Sequence, residues 1–339
     1  MKRMLRVLAV VAASAAVASA QDAPLGQVSK FFVAVDTLNM RPTKNPLKSL
    51  RGRVVLFTAF QTWYQRCEEA VGDVNGIHDK YGPKGLTVLA FGEQEKKLVE
   101  PWIAEKGVKF AWCLIDTPTA EQFKRDWPYP GQPYSFLLDV RGKVVWKENP
   151  RNMQNQNVLK PGTLEPLLAE VTQPPFLPKS LAAQQKPLDD GLWAATKKAL
   201  EAAAAEGKLD KADIGWAKGT ADWIALRHSK WMGDIDALCK QGWWWDAWEM
   251  ANDFPRRFEG MDGADAAKAK ADEIRATGKT DKAAEKDLAW GDDVAKAKGF
   301  ATTGKAQNAG MILKRIVKDA RGTRHAERAQ EILETLPAK

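Results

Sequence analysis

The 339-residue chain holds only three cysteines, Cys67, Cys113 and Cys239, and only three histidines, His78, His228 and His325. Three thiols allow at most one internal disulfide and always leave one over, so no disulfide framework builds this fold. Which two of them pair stays open at this stage. The histidines stand far apart, with no H-x-x-x-H, E-x-x-H or C-x-x-C spacing, so the sequence offers no metal site and calls for no cofactor. A phosphate-cradling glycine loop and a G-x-S-x-G elbow are also missing, which leaves nucleotide-binding and serine-hydrolase readings unsupported. No run approaches the ~20 consecutive apolar residues of a membrane-spanning helix. The formal charge is +8, but Lys and Arg are interleaved with Asp and Glu throughout. That pattern is a solvated surface without the concentrated basic stripe that nucleic acid requires. The pairs Glu68-Glu69 and Asp189-Asp190 read as solvated in the same way.

What is present begins at the N-terminus. Lys2, Arg3 and Arg6 precede an apolar run from Val7 to Val17 and then Ala18-Ser19-Ala20 before Gln21. This is the layout of a secretory signal, so residues 1–20 are expected to be removed and the mature chain to start at Gln21. A periplasmic or extracellular location follows as an expectation, and loss of the three basic residues would lower the charge to +5. The length suits two domains.

Short apolar runs alternate with helical patterns from about residue 54 onward. Strands are expected at Val54–Phe60, Leu86–Phe91, Phe110–Ile115, Tyr134–Val140 and Lys143–Lys147, the last two joined by Arg141-Gly142 as a hairpin. Helices are expected at Gln65–Lys80, Glu95–Glu105 and Thr119–Asp126. The stretch from 21 to about 49 reads as an extended lead-in. Strands alternating with helices imply a largely parallel sheet covered on both faces.

Two stretches carry a resemblance. Leu50-Arg51-Gly52-Arg53 leads into Val-Val-Leu-Phe from Val54 and then into Trp63-Tyr64-Gln65-Arg66-Cys67, and Gly131-Gln132-Pro133-Tyr134-Ser135-Phe136 is followed by Asp139 and Gly142-Lys143. Together they resemble the thioredoxin-like redoxins, the periplasmic thiol-disulfide oxidoreductases, over roughly residues 30–170. In that family the first stretch ends in W-C-x-x-C. The resemblance implies a thioredoxin-like α/β domain with Tyr64 at the position of the attacking cysteine, Cys67 at the second, and Pro133 as the candidate cis-proline. A dithiol cycle needs both a thiolate to attack and a thiol to resolve, so a Tyr-x-x-Cys site cannot run it alone. Cys67 then has two readings: a lone thiolate favoured by the first turn of a helix and by neighbouring Arg66, or a small apolar residue left under Trp63 and Tyr64. Peroxiredoxins share the fold and keep a T-x-x-C pattern. Tyr64 in place of that threonine, and Pro133 where they carry an arginine, weigh against peroxidase chemistry.

The prolines of residues 173–188 mark an expected linker between a domain at 21–172 and one at 189–339. The second is rich in Ala, Lys, Asp, Glu and Leu at helical spacing and reads as all-helical. A phrase of glycine followed five places later by alanine recurs from Gly207, Gly242, Gly278 and Gly304, at intervals of 35, 36 and 26 residues. It resembles a tetratricopeptide-like repeat, with an irregular bundle as the alternative. Nine of the fourteen tryptophans lie here, among them Trp243, Trp244, Trp245 and Trp248. Three consecutive tryptophans on a helix point about 100° apart, so at least one must leave the core. They are candidate binding aromatics or inter-helix packing, and a protein partner is expected through this domain. Oligomeric state is left open.

Overall fold

A computed structural model describes residues 32–40, 46–50, 52–152 and 163–336. The expected signal segment, the start at Gln21 and Arg51 lie outside the described residues. Two compact units divide after Gln173, with Asp79–Lys84 grouped with the second.

The first unit is a six-stranded sheet in the order β1-β4-β3-β2-β5-β6. Its strands are β1 (Ala34–Leu38), β2 (Val54–Ala59), β3 (Leu86–Gly92), β4 (Ala111–Ile115), β5 (Tyr134–Leu138) and β6 (Val144–Glu148). Between them run the one-turn α1 (Pro46–Ser49), α2 (Gln65–Tyr81), α3 (Lys96–Lys106) and α4 (Thr117–Asp126), and α5 (Leu164–Ala169) follows the sheet. The expectation of a largely parallel sheet is corrected. Only β2–β3 and β3–β4 are parallel, while β1–β4, β2–β5 and β5–β6 are antiparallel. The strand–helix alternation ends at α4, and the lead-in segment returns as β1 along the far edge. The β5–β6 turn is set by Asp139, whose Oδ1 accepts from the backbone of Arg141 and Lys143, with Gly142 at φ 81°. Helix α4 starts two residues earlier than the apolar pattern suggested, because Asp116 caps it by accepting from the Thr119 N–H.

Strands β2 and β3 are buried along their whole length, which suits their Val, Leu and Phe content. One face carries an aromatic core in which Phe57 stacks on Phe91 at 4.3 Å and Phe32, Phe123 and Phe136 meet that group edge-on.

The second unit holds eight helices among the described residues: α6 (Ala182–Asp189), α7 (Trp193–Ala205), α8 (Lys211–Lys240), α9 (Trp244–Arg257), α10 (Ala264–Thr277), α11 (Lys282–Thr302), α12 (Ala306–Asp319) and α13 (Arg324–Thr335). Here the expected linker is corrected in its second half. A 3₁₀ turn at Lys179–Leu181 and then α6 occupy it, and Leu181 and Leu188 join the helical core. Pro178 stands just ahead of the turn and Pro187 in the last turn of α6, so the intervening Ala, Gln and Lys residues are free to coil.

The repeated phrase also changes register. Gly207 and Gly278 precede Asp210 and Asp281, which cap helices starting four residues after the glycine, whereas helices start two residues after Gly242 and Gly304. The backbone of those two turns recurs instead at Gly191. Gly191, Gly242 and Gly304 have φ of 80°, 73° and 76°. In each the next residue donates its N–H to the carbonyl four before the glycine: Leu192 to Pro187, Trp243 to Leu238 and Lys305 to Phe300. This is the Schellman closure of a helix end, and only glycine adopts its left-handed position without strain. The buried stripes after Gly242 and Gly304 then match by residue count: Ala247, Ala251, Phe254 and Phe258 against Ala309, Leu313, Ile316 and Ala320. The turns join helices of 8 and 13, 30 and 14, and 21 and 14 residues, so the repeat lies in the turn and the helix after it.

Helix α11 spans two apolar clusters, with Leu288 in one and Val294 and Ala297 in the other. At Gly291 it lets the indole of Trp245 press directly on its backbone. A Cβ there would meet Trp245 Cγ at 2.0 Å. Gly291→Ala is therefore expected to cost about 2 kcal/mol in urea unfolding, because overpacking against a rigid indole exceeds the gain in helix propensity of up to about 1 kcal/mol.

Candidate functional site

Strand β2 ends under the sheet's aromatic core, and the chain turns through Phe60–Tyr64 into α2. This turn is held from β3. Phe60 donates to the Phe91 carbonyl at 3.0 Å. Gln94 accepts from the Thr62 N–H at 2.9 Å and donates to the Thr62 hydroxyl at 2.6 Å. Gly92 permits the approach, since a Cβ would lie 2.6 Å from the Phe60 carbonyl oxygen. Below, the hydroxyls of Thr58 and Ser135 share a buried hydrogen bond of 2.7 Å between β2 and β5.

Cys67 sits in the first turn of α2 and is fully buried. Its Sγ accepts from the Gln61 N–H at 3.4 Å. Burial pushes the thiol up to about 11, and the Gln61 hydrogen bond opposes that without offsetting it. The thiol is therefore protonated at neutral pH despite the helix N-terminus. Tyr64, half-buried, and Trp63, 73% exposed, stand outside it with their rings 5.8 Å apart. The Trp63 Nε1 donates to Gln61 Oε1 at 2.9 Å. Gln65 and Arg66 are exposed. Glu68 and Glu69 are exposed too, but each carries an ion pair, to Lys106 at 2.8 Å and to Arg151 at 2.9 Å.

The Gln132–Pro133 peptide is cis and delivers the chain into β5. Gln132, Trp63 and Tyr64 meet at a cleft of about 440 Å³ whose other walls include Glu93, Glu121, Lys124 and Tyr129. Cys67 does not line this cleft; Tyr64 does. Sequence reading missed Glu93, Lys124 and Tyr129 because they come from separate loops and helix α4, with no local motif. Gln132 was reachable as the neighbour of the candidate cis-proline.

All three cysteines are free thiols. Cys113 is buried in β4, where burial alone raises its pKa well above the ordinary range. Cys239, in the last turn of α8, is half-buried and also raised by burial, with the charge of Lys270 working against it. Among the described residues no cluster of His, Cys, Asp or Glu has the makings of a metal site, and no helix is long and apolar enough to cross a membrane.

The four candidate binding tryptophans point to different places. Trp245 is buried against Gly291, and Trp244 is half-buried against the helical core. Trp248 is covered by the Arg275 guanidinium at 3.8 Å, itself bidentate to Asp292 at 2.9 and 3.0 Å. Trp243, 37% exposed, has Arg324 over its ring at 3.7 Å, and Arg324 and Arg328 both pair with Asp246. Alongside, Asp287 accepts from the Trp245 N–H at 2.8 Å and from His325 Nε2 at 2.7 Å. Burial raises the Asp287 pKa, but these two bonds and the charges of His325 and Arg324 outweigh it and hold the carboxyl below its ordinary value.

No protein-family model matches the chain. The thiol-disulfide oxidoreductase ResA of Bacillus thuringiensis (strain Al Hakam) is 30% identical over 122 residues, which cover 36% of this chain and 67% of that protein. The chain belongs to the thioredoxin-like thiol-disulfide oxidoreductases. ResA of Geobacillus thermodenitrificans (strain NG80-2) is 28% identical over 121 residues, 35% of this chain and 66% of that protein. Among solved structures, a thiol:disulfide interchange protein of the thioredoxin family from Chlorobium tepidum matches 40% of this chain and 96% of its own at 15% identity and a TM-score of 0.30.

A raised thiol pKa has two measurable consequences. At pH 7.5 iodoacetamide should label Cys67 about two orders of magnitude more slowly than an unfolded cysteine, whose pKa is about 8.5. The folded thiol holds its proton more tightly than the unfolded one, so its contribution to stability is complete below about pH 8.5 and is lost as pH rises toward 11. Cys67→Ala should flatten that part of the alkaline fall in urea midpoints.

Proposed function

We propose that this is a thioredoxin-like binding protein whose redoxin unit no longer runs a dithiol–disulfide cycle and whose helical unit docks another protein. The observation that carries the reading is the state of Cys67: fully buried, unpaired, its pKa raised to about 11, with Tyr64 in front of it at the cleft. A phenol cannot form the mixed disulfide that begins the cycle, and a buried, protonated thiol is a poor attacker. The basic, apolar and small-residue segments of residues 1–20 support an exported protein. The recurrent Schellman turns support a tetratricopeptide-like stacking of helical hairpins, the kind of unit that presents side chains to a protein partner.

One observation favours a second reading, a single-cysteine oxidoreductase acting through a mixed disulfide on Cys67. Its sulfur accepts a backbone hydrogen bond at a helix N-terminus, which favours the thiolate once water reaches it. Peroxidase chemistry comes third, because Tyr64 and Pro133 occupy the positions where peroxiredoxins carry threonine and arginine.

Tyr64→Cys separates the readings. The unaltered chain should not accelerate insulin disulfide reduction, and the folded variant should gain activity at least tenfold above it as the introduced thiol and Cys67 cycle. Rapid turnover by the unaltered chain, lost in Cys67→Ser, would establish the single-cysteine enzyme instead.

A further inference from the structure

The cleft above Cys67 keeps a definite chemistry although the sulfur no longer reaches it. Its volume of about 440 Å³ lies in the range of ligand pockets and fits one long side chain with its flanking peptide units. Its walls combine the rings of Trp63, Tyr64 and Tyr129 with the carboxylates of Glu93 and Glu121 and one ammonium, Lys124. Two carboxylates against one ammonium leave a negative charge in excess, on a chain whose formal charge is +8.

The positions of these groups differ in what they leave open. Lys124 Nζ stands 5.9 Å from the centre of the Tyr129 ring, so this chain already places a cation against that aromatic wall. Trp63 carries no such cation among the described residues. Its indole is 73% exposed, with its Nε1 donating to Gln61. Glu93 makes no ion pair among the described residues, and Glu121 reaches only Arg125, at 3.8 Å and in solvent. An open indole lining the same cleft as an unpaired carboxylate offers a guanidinium or ammonium group both an aromatic face and a countercharge. An anionic ligand would meet two carboxylates and a single ammonium.

We propose that this cleft binds the basic side chain of a peptide, an arginine or lysine, without covalent chemistry. The inference rests on the reading of the redoxin unit as a binding module, but it uses no sulfur. Trp63 supplies the stacking face and Glu93 and Glu121 the countercharge, while Lys124 stays against Tyr129 on its own wall.

The test is a calorimetric titration of the full chain with three cysteine-free peptides, acetyl-Gly-Gly-X-Gly-Gly-amide with X as Arg, Glu or citrulline. The Arg peptide should bind with Kd on the order of 0.1–1 mM. The Glu and citrulline peptides should bind at least tenfold more weakly. Trp63→Ala should weaken the Arg peptide about tenfold and the double change E93Q/E121Q about fivefold or more, and raising salt from 50 to 500 mM should weaken it severalfold. These positions lie at the surface of the cleft, so folding is checked by circular dichroism. Equal binding of the three peptides, unchanged Arg binding in both variants, or no binding up to 5 mM would overturn the proposal. Cys67→Ser should leave Arg binding unchanged; a loss there would tie the cleft to the thiol and overturn it as well. Rapid alkylation of Cys67 would instead sink the reading of a non-cycling redoxin while leaving the peptide result to stand on its own.

Discussion

Burial of one sulfur sets the chemistry available at the start of α2 in the first unit. The unpaired N–H groups at the start of a helix favour a thiolate, whereas burial strips the anion of the water that stabilises it. Cys67 is sealed from that water, and the single N–H of Gln61 is too small a contribution to offset complete desolvation. The turn ahead of it is held by bonds of its own. The Phe60–Tyr64 turn is tied to β3 by Phe60 and Gln94, and Gly92 lets the two strand ends touch. The turn is thus fixed by bonds to the neighbouring strand end, with the Tyr64 ring and not the Cys67 sulfur lining the cleft.

In the helical unit order comes from backbone turns and from polar contacts between helices. The three Schellman turns fix how one helix reverses into the next, and glycine at each is required by the left-handed backbone. Asp246 and Asp287 then join α9, α11 and α13 through Arg324, Arg328, His325 and the Trp245 N–H. The guanidinium groups of Arg275 and Arg324 cover Trp248 and Trp243. Aromatics that look like a binding platform in one dimension are mostly dressed by this chain's own cations.

Much of this was legible in the sequence. The buried runs at Val54 and Leu86 locate the central strands within a residue of their observed ends, because strands buried on both faces need unbroken apolar content. The Trp-Tyr-x-x-Cys stretch locates the turn into α2. The stripes after Gly242 and Gly304 are visible as helix periodicity, but Gly207 and Gly278, with the same glycine-to-alanine spacing, belong to a different turn. That spacing does not reveal whether the helix starts two or four residues on; the outcome depends on whether an aspartate side chain or the backbone itself closes the turn. Proline density misleads at residues 179–189, since two prolines near the ends of a short helical stretch leave its interior intact.

The amino-acid sequence by itself determined the local things: the central strands and the helices with clear apolar periodicity, that Tyr64 stands three residues before a lone Cys67, and that three adjacent tryptophans must diverge. Only the tertiary structure decided the antiparallel pairing of β1 with β4 and of β5 with β2, the burial that keeps Cys67 protonated, and the cleft that gathers Trp63, Glu93, Lys124 and Gln132 from four separate segments. Residue type and spacing act along the chain, whereas desolvation and a cleft's charge depend on what distant segments bring within a few ångströms.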